Sequence, residues 1–387
     1  MTVREAGDER IETLRSVGTV IPMAPTSSSG RGRAGRVTIA DVAASAGVST
    51  STASLAFRGS DRVLGGTRDR ILAAAAELGY DGPHPVASSL RSGRSGIIGI
   101  VIAERVGLAF QNPVALATMD GLSERLDSIG YGQLLLPGRA RTLSHPDPLR
   151  SLPIDAVVFA TRGEEFDQLL PLVRARRVPI VGIEGPHADD VTLVEVDDSG
   201  GMTRVAEHVA RLGHRRVAVI MRTTRPGETR DPGQTVPILE GIDAIMNGTI
   251  RGRLQAVARV FPDAVRVEAG GRDSAAGSAA AHALLALSDS PTAILAQNDI
   301  LAAGAVVAAR ERGLEVPRDI TITGFDGVDI PWLDVRLTTV KQPLRGRGRE
   351  AGRLVDELLN GGSPASVMLP VSFRAGDTAA PPRVLGT

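Results

Sequence analysis

Residues 37–54 of the 387-residue chain read VTIADVAASAGVSTSTAS and carry its first strong structural signal. Thr38 precedes a short apolar run and Asp41 follows three residues later, which is the spacing of a capping box at the start of a helix. Gly47 supplies the backbone conformation of a tight turn, and Ser49 is placed to cap a second helix. Two short helices joined by a glycine-containing turn predict a helix-turn-helix.

A third helix completes this N-terminal unit, which we expect to span residues 37–80. Thr67 is placed to cap this helix and Gly79 to end it. Its apolar residues recur at helical spacing and predict an inner face formed by Ile71, Leu72, Ala75 and Leu78. An ordinary three-helix cap on a larger α/β protein would show the same pattern, so that alternative stays open at this point.

The second predicted helix carries short hydroxyl side chains near its start, at Ser49, Thr50, Ser51 and Ser54. Small hydroxyls let a helix lie deep in the major groove of DNA, where they donate to or accept from base edges. The free N–H groups and positive dipole at the same terminus favour phosphate. Between residues 24 and 95, nine Arg stand against five acidic residues, and nine minus five leaves +4. These features favour DNA binding.

The composition of the whole chain excludes several classes of protein. The absence of Cys excludes disulfides, a thiolate nucleophile and a Cys-ligated metal, and the net charge is zero. No apolar run reaches the roughly 18 residues of a membrane helix, and no signal-peptide core precedes residue 30. We therefore expect a cytoplasmic protein without a cofactor. Residues 1–36 predict a disordered extension, with Met23 as an alternative start.

From Ser95 onward, apolar strands alternate with amphipathic helices. The predicted strands are Ile97–Ala103, Gln133–Leu136, Ala156–Ala160, Ile180–Ile183, Val217–Met221, Val265–Glu268, Thr292–Ala296 and Ile320–Phe325. The predicted helices are Val114–Ile129, Ser199–Leu212, Val236–Met246, Ser274–Leu287, Ile300–Arg312 and Leu344–Leu359. This alternation predicts parallel sheets with helices on both faces, and the length predicts two doubly wound lobes with a cleft between them.

Seven stretches, taken in order, resemble the lactose-repressor family (LacI-type) of transcriptional regulators. They are residues 37–54, 67–80, 90–99, 207–218, 291–299, 323–326 and 337–343. Any one stretch could arise by chance, but the ordered set is specific and covers residue 37 to about 360. The resemblance implies an all-α helix-turn-helix headpiece followed by an α/β, two-lobed, periplasmic-binding-protein-like sensor.

The resemblance also implies domain boundaries. We expect a disordered extension at 1–36, the headpiece at 37–80, a hinge helix at 81–95 and an effector-binding and dimerisation domain at 96–387. In that last domain, lobe 1 would comprise about 96–195 and 337–360, and lobe 2 about 196–336 and 361–387. The partners implied are a double-stranded DNA operator of near-palindromic sequence, a small-molecule effector and a second copy of the chain. A tetramer is less expected than a dimer, because no heptad repeat of the coiled-coil type follows the predicted domain.

The same resemblance assigns roles in DNA recognition. Base reading is expected from Thr50, Ser51, Ser54 and Leu55, and phosphate contact from Thr38, Ser49, Thr52 and Arg58. The hinge is expected to place Val86, Ala87 and Leu90 in the minor groove. Leu90 would be wedged between base steps, because unstacking and bending are offset by additional contact.

The effector is expected in the cleft between the lobes. Asp326 follows a strand and suits a hydrogen-bond acceptor for a ligand hydroxyl or amine. Asn298 follows another strand, although it would equally serve as a helix cap. Arg272 could supply a charge from lobe 2, although a solvated surface position is the alternative. Phe110 and Gln111 could line lobe 1, on the evidence of position alone.

The sequence departs from the family pattern at several positions. Leu55 stands where members usually carry a base-reading Arg, and leucine cannot form a bidentate pair with guanine. Arg58 stands where Asn is common, and the stretch from Tyr80 to Leu90 is one residue longer than usual. Sugar- and purine-binding relatives carry a ligand-gripping Arg at the position we assign to Ile238, in the helix predicted around Gly241.

The sequence also bears on three other functions. An enzyme is disfavoured because the sequence has no G-x-S-x-G, H-E-x-x-H or G-x-x-x-x-G-K motif, and its six His show no metal-ligand spacing. A solute-binding protein would share the sensor fold but would need export and would carry no headpiece. A regulator that has no small-molecule response, or that answers to a protein partner, remains open because the predicted pocket is unusual.

Overall fold

The computed structural model describes residues 37–82, 93–102, 106–138, 148–161, 169–224 and 231–383. The chain separates into two compact units, Met1–His84 and Pro85–Thr387. The expected extension at 1–36 and most of the expected hinge, residues 83–92, lie outside the described residues. Within the described part of the chain, no helix is long and apolar enough to cross a membrane.

Three helices form the N-terminal unit and confirm the predicted helix-turn-helix. They are α1 (Ile39–Ser45), α2 (Thr50–Phe57) and α3 (Gly65–Leu78). Small side chains from all three fill its core, including Val42, Ala43, Ala53, Ala56, Ile71 and Ala75. The predicted inner face of α3 is too wide, because Leu72 and Leu78 are 43% and 37% exposed. Leu72 is one position beyond Ile71, which turns its side chain by about 100° away from the core.

The C-terminal unit is built on two sheets, the first of which defines lobe 1. Its strands are β1 (Ile97–Ile102), β2 (Gly132–Pro137), β3 (Ala156–Thr161), β4 (Ile180–Ile183), β5 (Thr192–Val196) and β12 (Val367–Leu369). They are all parallel, in the order β2-β1-β3-β4-β5-β12. The helices of this lobe are α4 (Val106–Ala109), α5 (Pro113–Ser128), α6 (Pro148–Ser151), α7 (Leu170–Arg174) and α12 (Leu344–Leu359).

The second sheet defines lobe 2. Its strands are β6 (Val217–Met221), β7 (Val236–Pro237), β8 (Val265–Glu268), β9 (Ala293–Ala296) and β10 (Thr321–Thr323). The order is β10-β9-β6-β8-β7, and only the edge strand β7 is antiparallel to its neighbour. Helices α8 (Asp198–Arg211) and α9 (Gly248–Val260) cover one face, and α10 (Ser274–Leu285) and α11 (Asp299–Glu311) cover the other. The two sheets confirm the doubly wound lobes that the sequence predicts.

The chain passes between the lobes at two points that differ from the expected boundaries, whereas the crossing after Val196 agrees with the expected one. Strand β11 (Thr339–Lys341) pairs with β13 (Ser372–Arg374) and, through an isolated bridge from Lys341 to Asp326, belongs with lobe 2. The crossing into lobe 1 therefore follows Lys341 rather than residue 337. Because β12 pairs with β5, the chain also stays in lobe 1 until Leu369 instead of leaving it at residue 361.

The helix predicted over Val236–Met246 is wrong. Residues Val236–Pro237 form edge strand β7, and only a short 3₁₀ turn, Ile242–Ala244, follows. Pro237 cannot donate a helical hydrogen bond, and Gly241 has φ of 60°, so neither continues a right-handed helix. The helix lies further along the chain, at α9, where the Asn247 side chain accepts from Ile250 N–H at 2.8 Å.

Candidate DNA-binding face and ligand cleft

The start of α2 is the candidate DNA-reading surface of the N-terminal unit. Ser49 caps this helix, since its hydroxyl accepts from Thr52 N–H at 3.1 Å and lies 2.8 Å from the Thr52 hydroxyl. Thr50 and Ser51, in the first turn, are exposed. Two short hydroxyl side chains and the positive end of the helix are therefore accessible together, as insertion into a major groove requires.

The later part of α2 is less accessible. Ser54 is 8% exposed, and its hydroxyl accepts from Arg58 Nη2 at 3.3 Å. Arg58 Nε donates to the Ser54 carbonyl oxygen at 3.2 Å, while Leu55 packs half-buried against the core of the unit. A base contact by Ser54 would require Arg58 to leave it. Arg58 itself is exposed and stays accessible to a phosphate.

Thr38 is exposed at the start of α1, where it is tied to Asp41. The Thr38 hydroxyl and main-chain N–H donate to Asp41 Oδ2 at 2.7 and 2.8 Å and hold the pKa of Asp41 below its usual range. This confirms the predicted cap and leaves the role of Thr38 at phosphate as a prediction. The expected hinge residues Val86, Ala87 and Leu90 lie outside the described residues.

A second candidate site occupies the cleft between the lobes of the C-terminal unit. Its cavity, of about 60 Å³, lies at the carboxyl ends of strands from both sheets, where open α/β sheets bind ligands. Charged and amide side chains dominate the lining. The lining residues are Asn112, Val114, Ala115, Ala160, Ile183, Glu184, Arg222, Arg253, Arg272, Asn298, Ile300, Asp326, Gln342 and Arg347.

Three of the five ligand residues predicted from the sequence line this cleft, namely Asp326, Asn298 and Arg272. The Asn298 side-chain oxygen also accepts from Leu301 N–H at 2.8 Å, so this residue caps α11 at a position that faces the cleft. The surface alternative for Arg272 is therefore replaced by a place in the cavity wall.

Phe110 and Gln111 do not line the cavity. Both are exposed, Phe110 to 52%, in the turn that precedes α5. The neighbouring Asn112 lines the cavity instead, and its side chain accepts from the N–H groups of Val114 and Ala115. The residue of this turn that lines the cavity is therefore one or two positions further along the chain than the sequence-based assignment.

Arg253 is the residue of this cleft that sequence reasoning missed most clearly. It is 1% exposed, and its Nε and Nη2 donate to Asp198 Oδ1 at 2.8 and 2.5 Å. Its Nη1 donates to the Gln297 carbonyl oxygen, and its guanidinium lies 3.6 Å from the centre of the Phe325 ring. The residue lies on α9, which the sequence pattern did not reveal.

A chain of polar contacts connects the two lobes across the cleft. From lobe 1, Arg347 Nη1 donates to Glu184 Oε1 at 2.6 Å and to Gln342 Oε1 at 3.0 Å. Gln342 Nε2 then donates to Asp326 Oδ1 at 2.7 Å in lobe 2. Arg253 Nη1 lies 3.8 Å from the same Asp326 oxygen. A ligand that contacts Asp326 would therefore act on groups that belong to both lobes.

The two acids of the cleft have an unusual backbone and shifted pKa values. Glu184 and Asp326 have φ of 59° and 116°, which residues other than glycine seldom adopt outside functional sites. Burial raises the pKa of Asp326 to about 6, although the charge of Arg253 opposes the shift. Burial also opposes ionisation of Glu184, but the charges of Arg347, Arg222 and Arg253 together outweigh it and lower the pKa of Glu184.

Asp299 lies next to Asn298 but behind the cleft. It is fully buried, and its two oxygens accept from the Thr339 hydroxyl at 2.6 Å and from Val328 N–H at 2.8 Å. Burial, and then the charge of Asp326, raise the pKa of Asp299 to about 8. Asp299 thus joins the start of α11 to the segments that carry Asp326 and β11.

The assignment of the relatives' ligand-gripping Arg position to Ile238, and with it the expectation that the cleft lacks this guanidinium, is wrong. Ile238 is fully buried in the core of lobe 2 and does not face the cleft. The error follows from the wrong helix around Gly241. Among the described residues, the cleft in fact holds four guanidinium groups, on Arg222, Arg253, Arg272 and Arg347.

Comparison with known proteins agrees with this architecture. Residues 38–82 match the model of "Bacterial regulatory proteins, lacI family", and residues 96–235 match "Periplasmic binding proteins and sugar binding domain of LacI family". Residues 206–378 match a periplasmic binding protein-like domain. An HTH-type transcriptional regulator of Mycolicibacterium smegmatis is 33% identical over 90% of this chain and 97% of its own. The chain belongs to the LacI family.

Other LacI-family regulators show the same extent of similarity. The HTH-type transcriptional regulator Rv3575c of Mycobacterium tuberculosis is 34% identical over 90% of this chain and 98% of its own. The solved lac repressor dimer, bound to operator and an anti-inducer, is 23% identical, with a TM-score of 0.67 over 89% of this chain and 99% of that one. These relatives are transcriptional regulators, so the LacI-type fold here is that of a DNA-binding regulator with a sugar-binding-like sensor.

Proposed function

We propose that the protein is a transcriptional repressor that binds a near-palindromic operator as a homodimer and changes its operator affinity when a small molecule occupies the cleft. The observation that carries the proposal is the exposed first turn of α2, with Thr50 and Ser51, in the same chain as a polar cleft between two lobes. A relative named as a transcriptional repressor, from Photobacterium profundum, is 27% identical over 83% of this chain and 91% of its own, which supports the sign of regulation.

The accessibility of α2 ranks the proposed DNA contacts. Thr50 and Ser51 read bases directly, and Leu55 adds apolar contact to a thymine methyl. Base reading by Ser54 comes only after Arg58 has moved to a phosphate. Thr38, Ser49 and Thr52 also contact phosphates, which position the headpiece without specifying sequence.

The hinge extends the same contact into the minor groove. We place Val86, Ala87 and Leu90 there, with the Leu90 of each protomer between base steps, and this is why the functional unit is a dimer. Two headpieces related by a two-fold axis read two halves of a palindrome.

The effector response uses the polar contacts across the cleft. Asp326, Asn298 and Arg272 contact the ligand from lobe 2, while Arg347 and Glu184 face it from lobe 1. A ligand that binds one arrangement of the lobes more tightly shifts the population of that arrangement, and the hinge helices transmit the change.

Selection of random duplex DNA by the purified protein, at about 0.15 M salt, tests the proposal. We expect an enriched near-palindrome. The double variant Thr50→Ala, Ser51→Ala should lose the enrichment, while Ser45→Ala, at an exposed position near the end of α1, should retain it. Enrichment that is equal in both variants would contradict base reading by α2. No enrichment from a folded wild-type protein, with or without cleft ligands, would contradict the regulator function proposed here.

A further inference from the structure

The guanidinium of Arg222 differs from those of Arg253 and Arg347 in the cleft. Arg253 is paired with Asp198, and Arg347 with Glu184, in each case by a charge-assisted hydrogen bond. Arg222 follows β6 and lines the same cavity. Its Nε is fully buried, and within the described residues it has no hydrogen-bond acceptor.

This arrangement is costly for the protein alone. A buried donor without an acceptor loses its hydration and gains nothing in return. Burial and the nearby charge of Arg253 both lower the pKa of Arg222. The charges of Glu184, Asp326 and Asp198 oppose this shift but do not outweigh it. Because a guanidinium stays charged in proteins, the mismatch is not relieved by loss of a proton. A ligand group that supplies acceptors at Arg222 would relieve it.

The shape and charge of a guanidinium restrict what that group can be. Its planar fork of N–H donors matches two oxygens of a phosphate or carboxylate, and the hydrogen bonds are then charge-assisted. A neutral hydroxyl offers one acceptor and no charge. The remaining lining favours hydroxyl groups, because Asn298 and Asp326, with amide and carboxylate side chains, line the same cavity.

We infer that the effector is an anionic polyol, a small molecule whose phosphate or carboxylate group binds Arg222 and whose hydroxyl groups bind at Asp326 and Asn298. This inference rests on the proposed function for the identity of the cleft as the effector site. It adds the chemical class of ligand: a sugar phosphate or sugar acid binds, and the corresponding neutral sugar binds less.

The test compares thermal unfolding of the full chain in inorganic phosphate and in sodium chloride of the same ionic strength. Phosphate should raise Tm by at least about 2 °C in the wild type. Arg222→Gln should abolish this shift. Arg215→Gln is the matched control, because Arg215 is exposed and lies two residues before the start of β6, at the end of the strand opposite to Arg222. An equal phosphate shift in wild type and Arg222→Gln, or no shift in either, would overturn the inference.

Two further measurements determine the class of ligand and whether its binding changes operator affinity. Glucose, glucuronate and glucose 6-phosphate, compared by calorimetry, distinguish a neutral, a carboxylate and a phosphate ligand. Tighter binding of one anionic form, lost in Arg222→Gln, supports the inference, and tightest binding of glucose overturns it. Operator affinity is then measured with the anionic form that binds. Binding at Arg222 without a change in operator affinity would support the anion site and contradict the effector role proposed for the cleft.

Discussion

Buried ionisable side chains give the sensor a pH dependence that can be assigned to single residues. Asp299 has a pKa of about 8 in the folded protein, against 3.8 for an exposed Asp. Below pH 3.8 both states hold the proton, so Asp299 makes no difference there. Between about pH 4 and pH 8 only the unfolded state releases it, and the free energy of unfolding falls by roughly 1 kcal/mol per pH unit.

Asp299→Asn should remove this slope and leave the variant more stable than the wild type near pH 8. The amide fits the site, because its nitrogen can donate to the Thr339 hydroxyl and its oxygen can accept from Val328 N–H. Denaturant unfolding between pH 4 and pH 8 measures the effect, with exposed Asp243→Asn as a control that follows the wild type. A variant profile parallel to that of the wild type would show that Asp299 is ionised in the folded state.

The second prediction for a single residue concerns Arg58. Arg58→Ala should reduce the slope of log K against log salt by about one per headpiece and leave the selected sequence unchanged, because a phosphate contact adds affinity without base discrimination. Binding titrations on a single duplex at several salt concentrations measure the slope. A change in the preferred base sequence would instead assign Arg58 to direct readout.

Individual residues were predictable where a local rule applies and not where tertiary packing decides. The cap of α1 by Thr38 and Asp41 follows from spacing alone. Asp326 was found because it follows a strand. The sequence pattern around Arg222 and Arg253 carries no such signal, because an arginine in a cleft wall cannot be distinguished from a solvated one until its neighbours in the fold are known.

Helices of the sensor approach each other at glycines. A Cβ on Gly348 of α12 would lie 2.0 Å from the Thr118 carbonyl oxygen of α5, and one on Gly304 of α11 would lie 2.0 Å from the Ser274 carbonyl oxygen of α10. No side chain can be added at such distances unless the backbones separate. The close contact of each helix pair therefore depends on these residues.

Gly348→Ala should destabilise lobe 1 by about 1–3 kcal/mol, because overpacking moves α5 and α12 apart. Gly252→Ala provides a matched control within α9, where a Cβ would meet nothing within 4 Å. That substitution should stabilise by up to about 1 kcal/mol through helix propensity. Chemical denaturation measures the free energy of unfolding of both variants. Equal changes in the two would contradict the packing explanation.

The elements predicted most accurately are those with a long, uninterrupted pattern. The bounds of β4, β6, β8 and α12 agree with the structure to the residue. Helix α9 was missed because Gly248 and Gly252 interrupt its apolar pattern, and the preceding apolar residues around Ile238 were taken for it. The short strands β11 and β13 were missed because three residues carry too little periodicity.

At the scale of the whole molecule, the sequence predicts the two lobes but misplaces where the chain crosses between them. Alternation of strands and helices predicts the layers of each lobe. The order in which distant strands pair is decided by contacts such as Val367 with Val194, which no local pattern shows. Two of the crossings consequently lie after Lys341 and after Leu369, at positions that the sequence does not indicate.

The connection between headpiece and sensor gives the last prediction. If Leu90 inserts between base steps, its contribution depends on a bent operator, which only specific binding produces. Leu90→Ala should therefore weaken binding to the selected palindrome by roughly tenfold or more, equivalent to about 1.4 kcal/mol, and leave binding to an unrelated duplex almost unchanged. Fluorescence anisotropy on both duplexes at one salt concentration measures the difference. An equal loss on the two duplexes would assign Leu90 to general packing rather than to the minor groove.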